Sequence, residues 1–241
     1  MKTFRILVAD HHPIFRFGLC SLLGAHEDWE VCGEACDGRD AIEKFRQLKP
    51  DLVILDICMP RLNGVDAARR MLKENPAQQI LVLTDVDSEQ VVQDCLEVGV
   101  RGWVFKSDAM DDLTTAVESL RQHKSSFSVR VAELIMDCYL QRHRVSPAAA
   151  KLPKLSPRER EVVQLVSEGK TSKEVAMILN FTLKTAETHR SNILYKLKIH
   201  SIAELVLYAI RNEIVQVKLP AVLRFPNPPV APWTLPLRAC N

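Results

Sequence analysis

Four residues far apart in the chain are of the types that phosphoryl chemistry needs: Asp10, Asp56, Thr84 and Lys106. A carboxylate can act as a nucleophile toward a phosphoryl group. The group in flight spreads negative charge over its oxygens, so it needs cations and hydrogen-bond donors around it. A lysine supplies a point charge, a hydroxyl one donor, and carboxylates can hold Mg2+, which prefers oxygen ligands. Each of the four follows directly on a short apolar run: Phe4 to Ala9, Leu52 to Leu55, Ile80 to Leu83, and Gly102 to Phe105. Taken singly, each also fits a plainer role as helix cap, turn residue or solvated charge.

The elements that must bring them together are legible in outline. Short apolar runs between breakers read as buried strands of a parallel sheet, and Trp29 to Ala35 adds another. Helical stripes lie between them: Ile14, Phe15, Leu19, Leu22 and Leu23 behind Pro13; Ala41, Ile42, Phe45 and Leu48 before Pro50; Val65, Ala68, Met71 and Leu72; a helix from Ser88 to Val98 with Ser88 as its cap; and Leu113, Ala116, Val117 and Leu120 behind Ser107 or Asp108. Five β–α units in succession predict an α/β domain with helices on both faces of the sheet. Right-handed crossovers then open all four strand ends on one edge, where such sheets bind ligands.

The second half has a different grammar. Residues 123–154 carry no strand pattern; Val129 to Leu140 reads as a linker helix and Gln141 to Lys154 as a flexible connection. Ser156-Pro157 with Glu159 is a capping box opening a helix, ended by Gly169. Ser172 is expected to cap a short helix, Asn180-Phe181-Thr182 to turn the chain, and Leu183 to Leu197 to form a longer helix, followed by a last one from Ile202 to Ile210. A short helix, a tight turn and a second helix with a polar face is a helix-turn-helix pattern, whose second helix enters the major groove of DNA. Residues 218–241 contain repeated prolines that forbid a helix.

Charge follows the same division. Residues 1–125 carry 15 Lys+Arg against 21 Asp+Glu, a net −6, whereas residues 126–241 carry 17 against 9, a net +8. A basic half suits nucleic acid. No apolar run is long enough to span a membrane, which predicts a cytoplasmic protein. The seven cysteines are odd in number and sit mostly in apolar segments, so they read as reduced core residues, and Cys32 with Cys36 as core packing in preference to a zinc site completed by His11 and His12.

On Asp10, Pro13, Asp56 with Met59-Pro60 and Gly64, Thr84, and Gly102-Trp103-x-x-Lys106, residues 1–122 resemble the flavodoxin-like receiver domain of two-component response regulators of the NarL/FixJ group. Ser156-Pro-Arg-Glu-Arg-Glu161, Glu168-Gly-Lys-Thr-Ser-Lys-Glu174 and Lys184-Thr-Ala-Glu-Thr-His-Arg190-Ser-Asn-Ile193 make residues 155–217 similar to the LuxR-type four-helix DNA-binding domain. The resemblance implies Asp56 as phospho-acceptor, Thr84 and Lys106 as sensors of the phosphate, and Trp103 as an aromatic switch. Mg2+ would be held by Asp10, Asp56 and the backbone carbonyl of Cys58. It also implies base contacts from Glu187, Thr188 and Ser191, and phosphate contacts from Lys184, His189, Arg190 and Lys196 with Thr171 and Ser172. Expected partners are a sensor histidine kinase, promoter DNA with paired half-sites, RNA polymerase, and a second copy of the chain through Ile202, Leu205, Val206 and Ala209. An unphosphorylated receiver is expected to cover the recognition helix.

One position departs from the family: a second acidic residue is usual after Asp10, and this chain has His11. That predicts weaker Mg2+ binding and leaves a rival reading, an atypical receiver that regulates DNA binding without phosphorylation. Asp85 is read as a surface residue. An aspartate-nucleophile phosphatase, a further alternative, would carry a second Asp two residues after Asp56, where Cys58 stands.

Overall fold

The computed structural model describes residues 3–86, 88–144 and 155–215. The expected connection over 141–154 is corrected at its start, since residues 141–144 continue the preceding helix; its remainder, 145–154, and the Pro-rich stretch 218–241 lie outside the described residues.

The first unit alternates strands and helices: β1 (Phe4–Ala9), α1 (Pro13–Gly24), β2 (Trp29–Ala35), α2 (Gly38–Leu48), β3 (Leu52–Leu55), α3 (Gly64–Glu74), β4 (Gln79–Thr84), α4 (Glu89–Val98), β5 (Gly102–Phe105) and α5 (Ala109–Arg121). The sheet order is β2-β1-β3-β4-β5-β6, all parallel. The sixth strand, β6 (Ser126–Phe127), corrects the expectation of no strand after residue 122. Two residues are too short for periodicity to register, and it forms because Ser126 and Phe127 pair with Gly102 and Trp103 of β5. Apolar layers fill both faces of the sheet, with Leu7, Val53, Val82 and Trp103 on one side and Ile6, Ile54, Leu81 and Val104 on the other. Strands buried on both faces explain the continuous apolar runs.

Register sets the site. Ala9 pairs with Leu55 and Leu55 with Val82, so the residues that follow, Asp10 and Asp56, emerge side by side. Gly64 anchors the loop after Asp56: its N–H donates to the Ile57 carbonyl at 2.8 Å, and a Cβ there would meet the Asp56 carbonyl oxygen at 2.1 Å. Only glycine allows that approach.

Several local expectations need correction. Ser88 and Asp108 stand at the N-caps of α4 and α5, but neither side chain makes a capping hydrogen bond. Ile14 is 89% exposed, because the stripe on α1 is wider than the face it buries; Leu19 and Leu23 are the buried members. Cys36 is exposed and so is no core residue.

After β6, α6 (Val129–Arg144) is docked: Val131 is buried in the same apolar layer as Trp103 and Phe105, and the Arg130 guanidinium lies over the Phe105 ring. The second unit is α7 (Pro157–Ser167), α8 (Ser172–Leu179), α9 (Leu183–Leu197) and α10 (Ile202–Arg211) around one apolar core. Ser156 and Glu159 form the expected capping box of α7. The cap of α8 is Thr171, paired with Glu174, and not Ser172, which is already helical. Asn180 closes α8 in the left-handed region and redirects the chain into α9.

Candidate functional sites

At the carboxyl edge of the sheet the polar residues converge. Lys106 Nζ lies 3.0 Å from Asp56 Oδ2 and 2.8 Å from Asp10 Oδ2. His11 Nδ1 is 3.0 Å from the same Asp56 Oδ2, and the Cys58 N–H donates to Asp56 Oδ1 at 3.2 Å. His12 donates its backbone N–H to Asp10 Oδ1 at 2.7 Å and sets its ring Nδ1 3.3 Å from that oxygen. Asp56 is 2% exposed. Burial pushes its carboxyl up, but the bond with His11, the charge and hydrogen bond of Lys106 and the Cys58 N–H outweigh burial and hold it below the ordinary carboxyl range. Burial likewise pulls the Lys106 ammonium down, and the charges of Asp56 and Asp10 more than reverse it. The result is an ionised carboxylate in a small cationic cradle, which can attack a phosphoryl centre and stabilise the charge it brings.

Thr84 is buried at the end of β4, but its hydroxyl accepts the Val86 N–H at 3.2 Å and no described bond joins it to Asp56. Trp103 is buried edge-on to Phe105, its indole N–H without a hydrogen-bond partner among the described residues. Asp85 is exposed, as read. His12, which the sequence offers only as a distant companion of Cys32 and Cys36, belongs instead with Asp10, His11 and Asp56. Its signal was adjacency to His11, but only the turn into α1 shows that both rings face Asp10 and Asp56.

The donor set answers the Mg2+ expectation poorly. Asp10 and Asp56 supply oxygens, yet the other two groups able to ligate are imidazoles, and Mg2+ prefers an octahedron of oxygens.

On the second unit, Lys184, Glu187, Thr188 and Ser191 share one exposed face of α9 at helical spacing. The Thr188 hydroxyl donates to the Lys184 carbonyl at 2.8 Å. Asn192, not singled out in the sequence, lines the same shallow depression as Thr182, Lys184, Thr185, Thr188 and His189. Other expected phosphate contacts have partners inside the domain. His189 stacks on Phe181, with ring centres 4.9 Å apart, and Lys196 pairs with Glu159 at 2.7 Å. Arg190 reaches the Ser172 hydroxyl at 3.5 Å, and Thr171 spends its hydroxyl on the α8 cap. On α10, Leu205 and Ala209 are core residues, while Ile202 and Val206 are half-buried.

The two units meet through α7, which the sequence did not foretell. Gln164, 1% exposed, donates to the Met59 carbonyl at 2.9 Å and accepts the Asn63 N–H at 2.9 Å. Glu161 is buried among Arg39, Arg70 and Arg158, and Arg160 pairs with Asp94 at 2.8 Å. The expected covering of the recognition helix is therefore corrected: the receiver holds α7, and the outer face of α9 stays exposed.

Comparison with known proteins gives the same division. The family model described as "Response regulator receiver domain" matches residues 6–118, and that of "Bacterial regulatory proteins, luxR family" matches residues 153–209. The response regulator protein VraR of Staphylococcus aureus is 32% identical over 214 residues, covering 89% of this chain and all of that one. Among solved structures, the complex of the two-component response regulator RcsB with DNA aligns with a TM-score of 0.55 at 27% identity, over 86% of this chain and 98% of that one. A LuxR-family two-component response regulator from Aurantimonas sp. SI85-9A1 aligns with a TM-score of 0.55 at 29% identity, over 58% of this chain and 99% of that one. Among the described residues no helix is long and apolar enough to cross a membrane.

Proposed function

The chain belongs to the two-component response regulators with a LuxR-type DNA-binding domain, and from that premise we propose that it is a sequence-specific transcription factor switched by phosphoryl transfer to Asp56 from a sensor histidine kinase. The observation that carries this reading is the ionised, buried Asp56 held between the Lys106 ammonium, His11 and the Cys58 N–H. An Asp56 oxygen attacks phosphorus, the bond from phosphorus to the donor's nitrogen breaks, and the electron pair leaves with the donor. Lys106 balances the charge that arrives. The new dianion draws the Thr84 hydroxyl away from Val86 and lets Trp103 repack, a shift between two states biased by one local charge.

DNA binding uses Glu187, Thr188 and Ser191 toward base edges and Lys184 and Arg190 toward phosphates, with His189, Lys196, Thr171 and Ser172 at the flank. Two chains on paired half-sites, joined through α10, form the active state, in the cytoplasm and in reach of RNA polymerase. The receiver's own chemistry extends no further than slow hydrolysis of its aspartyl phosphate. Mg2+ is the ion the family would bring to Asp10, Asp56 and the Cys58 carbonyl, and His11 weakens that match.

The test is incubation with a small phosphodonor and a divalent cation, followed by intact-mass measurement. One adduct of about 80 Da, one phosphoryl group, is expected on the native chain and none on Asp56→Asn. A native chain that gains no adduct from either the donor or a kinase would favour the second reading, an atypical receiver. The specific observation behind that rival is His11 seated on the acceptor oxygen itself.

A further inference from the structure

The cluster around Asp56 has a chemistry that differs from an all-oxygen magnesium site. Asp10, His11, His12 and Asp56 each present one ligand atom, all within 4.8 Å of one another. Two are carboxylates from adjacent strand ends and two are imidazoles at the turn into α1. A tetrahedral zinc with bonds of about 2.1 Å sets its donors about 3.4 Å apart. His11 Nδ1 and Asp56 Oδ2 are already 3.0 Å apart, and His12 Nδ1 and Asp10 Oδ1 3.3 Å. Only the spacing between these two pairs must shrink.

A cation already sits among them. Lys106 Nζ is 2.8 Å from Asp10 Oδ2, 3.0 Å from Asp56 Oδ2 and 3.4 Å from His12 Nδ1. Asp10 is 1% exposed, and its Oδ2, 2.8 Å from the Lys106 ammonium, has no other polar partner among the described residues. A buried carboxyl oxygen that already faces a cation is what a dication would claim. Two carboxylates neutralise its charge, and imidazole with carboxylate favours a first-row transition ion over Mg2+.

We propose that Asp10, His11, His12 and Asp56 form a site for a transition-metal dication of the zinc class, which displaces Lys106 and, with all four tetrahedral positions filled by protein, leaves none for a phosphoryl oxygen and so excludes phosphorylation. The exclusion half rests on Asp56 being the phospho-acceptor; the binding half does not. Bound metal would then hold the receiver in an unphosphorylatable state.

The experiment uses the full chain, freed of metal with a chelator and titrated calorimetrically with Zn2+ and with Mg2+. One equivalent of Zn2+ is expected to bind at least about a hundredfold tighter than Mg2+, with the affinity falling at least about tenfold in the His11→Ala, His12→Ala double variant and rising in Lys106→Ala. Co2+ loading of the native chain supplies a readout that no variant can spoil. Tetrahedral d–d bands without a sulfur charge-transfer band are expected, which separates this cluster from the exposed thiol of Cys36. Zn2+ no tighter than Mg2+, an unaltered double variant, or a cobalt–thiolate spectrum would overturn the site. Zn2+-loaded protein is expected to gain no phosphoryl adduct under conditions where metal-free protein given Mg2+ does. Equal adduct formation would overturn the exclusion, whereas absence of adduct in both, with zinc bound, would refute the phospho-acceptor reading alone.

Discussion

At the residue scale the surroundings of Asp56 decide its chemistry. His11 takes the place of a carboxylate and bonds to the acceptor oxygen, so it competes with whatever approaches that oxygen. Restoring the acid is the direct check: His11→Asp is expected to speed Mg2+-dependent adduct formation from a small phosphodonor by about tenfold, in line with the effect of altering a metal's immediate surroundings. An unchanged rate would mean that His11 does not limit metal or phosphodonor. Because the Asp56 carboxyl is held below its ordinary value of 3.8, its ionic contacts contribute stability above that pH and lose it as pH falls through the lowered value. The nucleophile is thus charged across the neutral range. On the DNA side, Arg190→Ala is expected to weaken binding to all sequences and to reduce the slope of log affinity against log salt by about 1, measured by fluorescence anisotropy at several ionic strengths. A slope that stays the same, with binding intact, would place Arg190 off the backbone.

At the element scale, α7 links the two units. Gln164 grips the Met59 carbonyl, three residues beyond Asp56, and Glu161 sits buried under three arginines. Removing Glu161 leaves those guanidinium groups without their common anion. Glu161→Ala is expected to cost about 3 kcal/mol in the docked state, at the low end for a broken buried pair, because the arginines remain a quarter to a third exposed. The two units should then separate, seen as a larger radius of gyration by small-angle scattering with helix content retained. A native radius would show that Gln164 and Arg160 suffice to hold α7. Much of this scale was legible in the sequence. The five β–α units, the capping box at Ser156 and the turn at Asn180 follow from local rules, and those rules act within a few residues. The Thr171-x-x-Glu174 box was equally written there, and reading Ser172 as the cap overlooked that Glu174 stands three residues after Thr171. What was not legible depends on distant partners: β6 exists only because β5 offers an edge, and Ile14 is exposed because nothing packs on that side of α1. Gln164 gave one hint, a polar residue inside the apolar run Val162 to Val166. Its partners, Met59 and Asn63, lie some hundred residues away.

At the scale of the whole molecule, the arrangement leaves the reading face of α9 exposed while α7 is held on the receiver. Control by simple covering of the recognition helix does not fit that geometry. Control through docking does: the loop that carries Asp56 also carries Met59 and Asn63, so a phosphoryl dianion that shifts this loop strains the hydrogen bonds to Gln164, each worth about 1 kcal/mol. On the proposed reading, two DNA-binding units freed from the receiver are expected to gain affinity by pairing on two half-sites, not by uncovering. The linker helix α6 is docked as well, with Arg130 over Phe105 and Val131 buried in the same apolar layer as Trp103. The central claim is therefore that charge at Asp56 controls DNA binding. Its most direct measurement is a titration of one promoter fragment with the full chain, before and after phosphorylation to a stoichiometry fixed by intact mass, with Asp56→Asn treated alongside. Affinity for paired half-sites is expected to rise about tenfold or more on phosphorylation and to stay put in the variant. Identical affinity of the fully phosphorylated and untreated chains would contradict it.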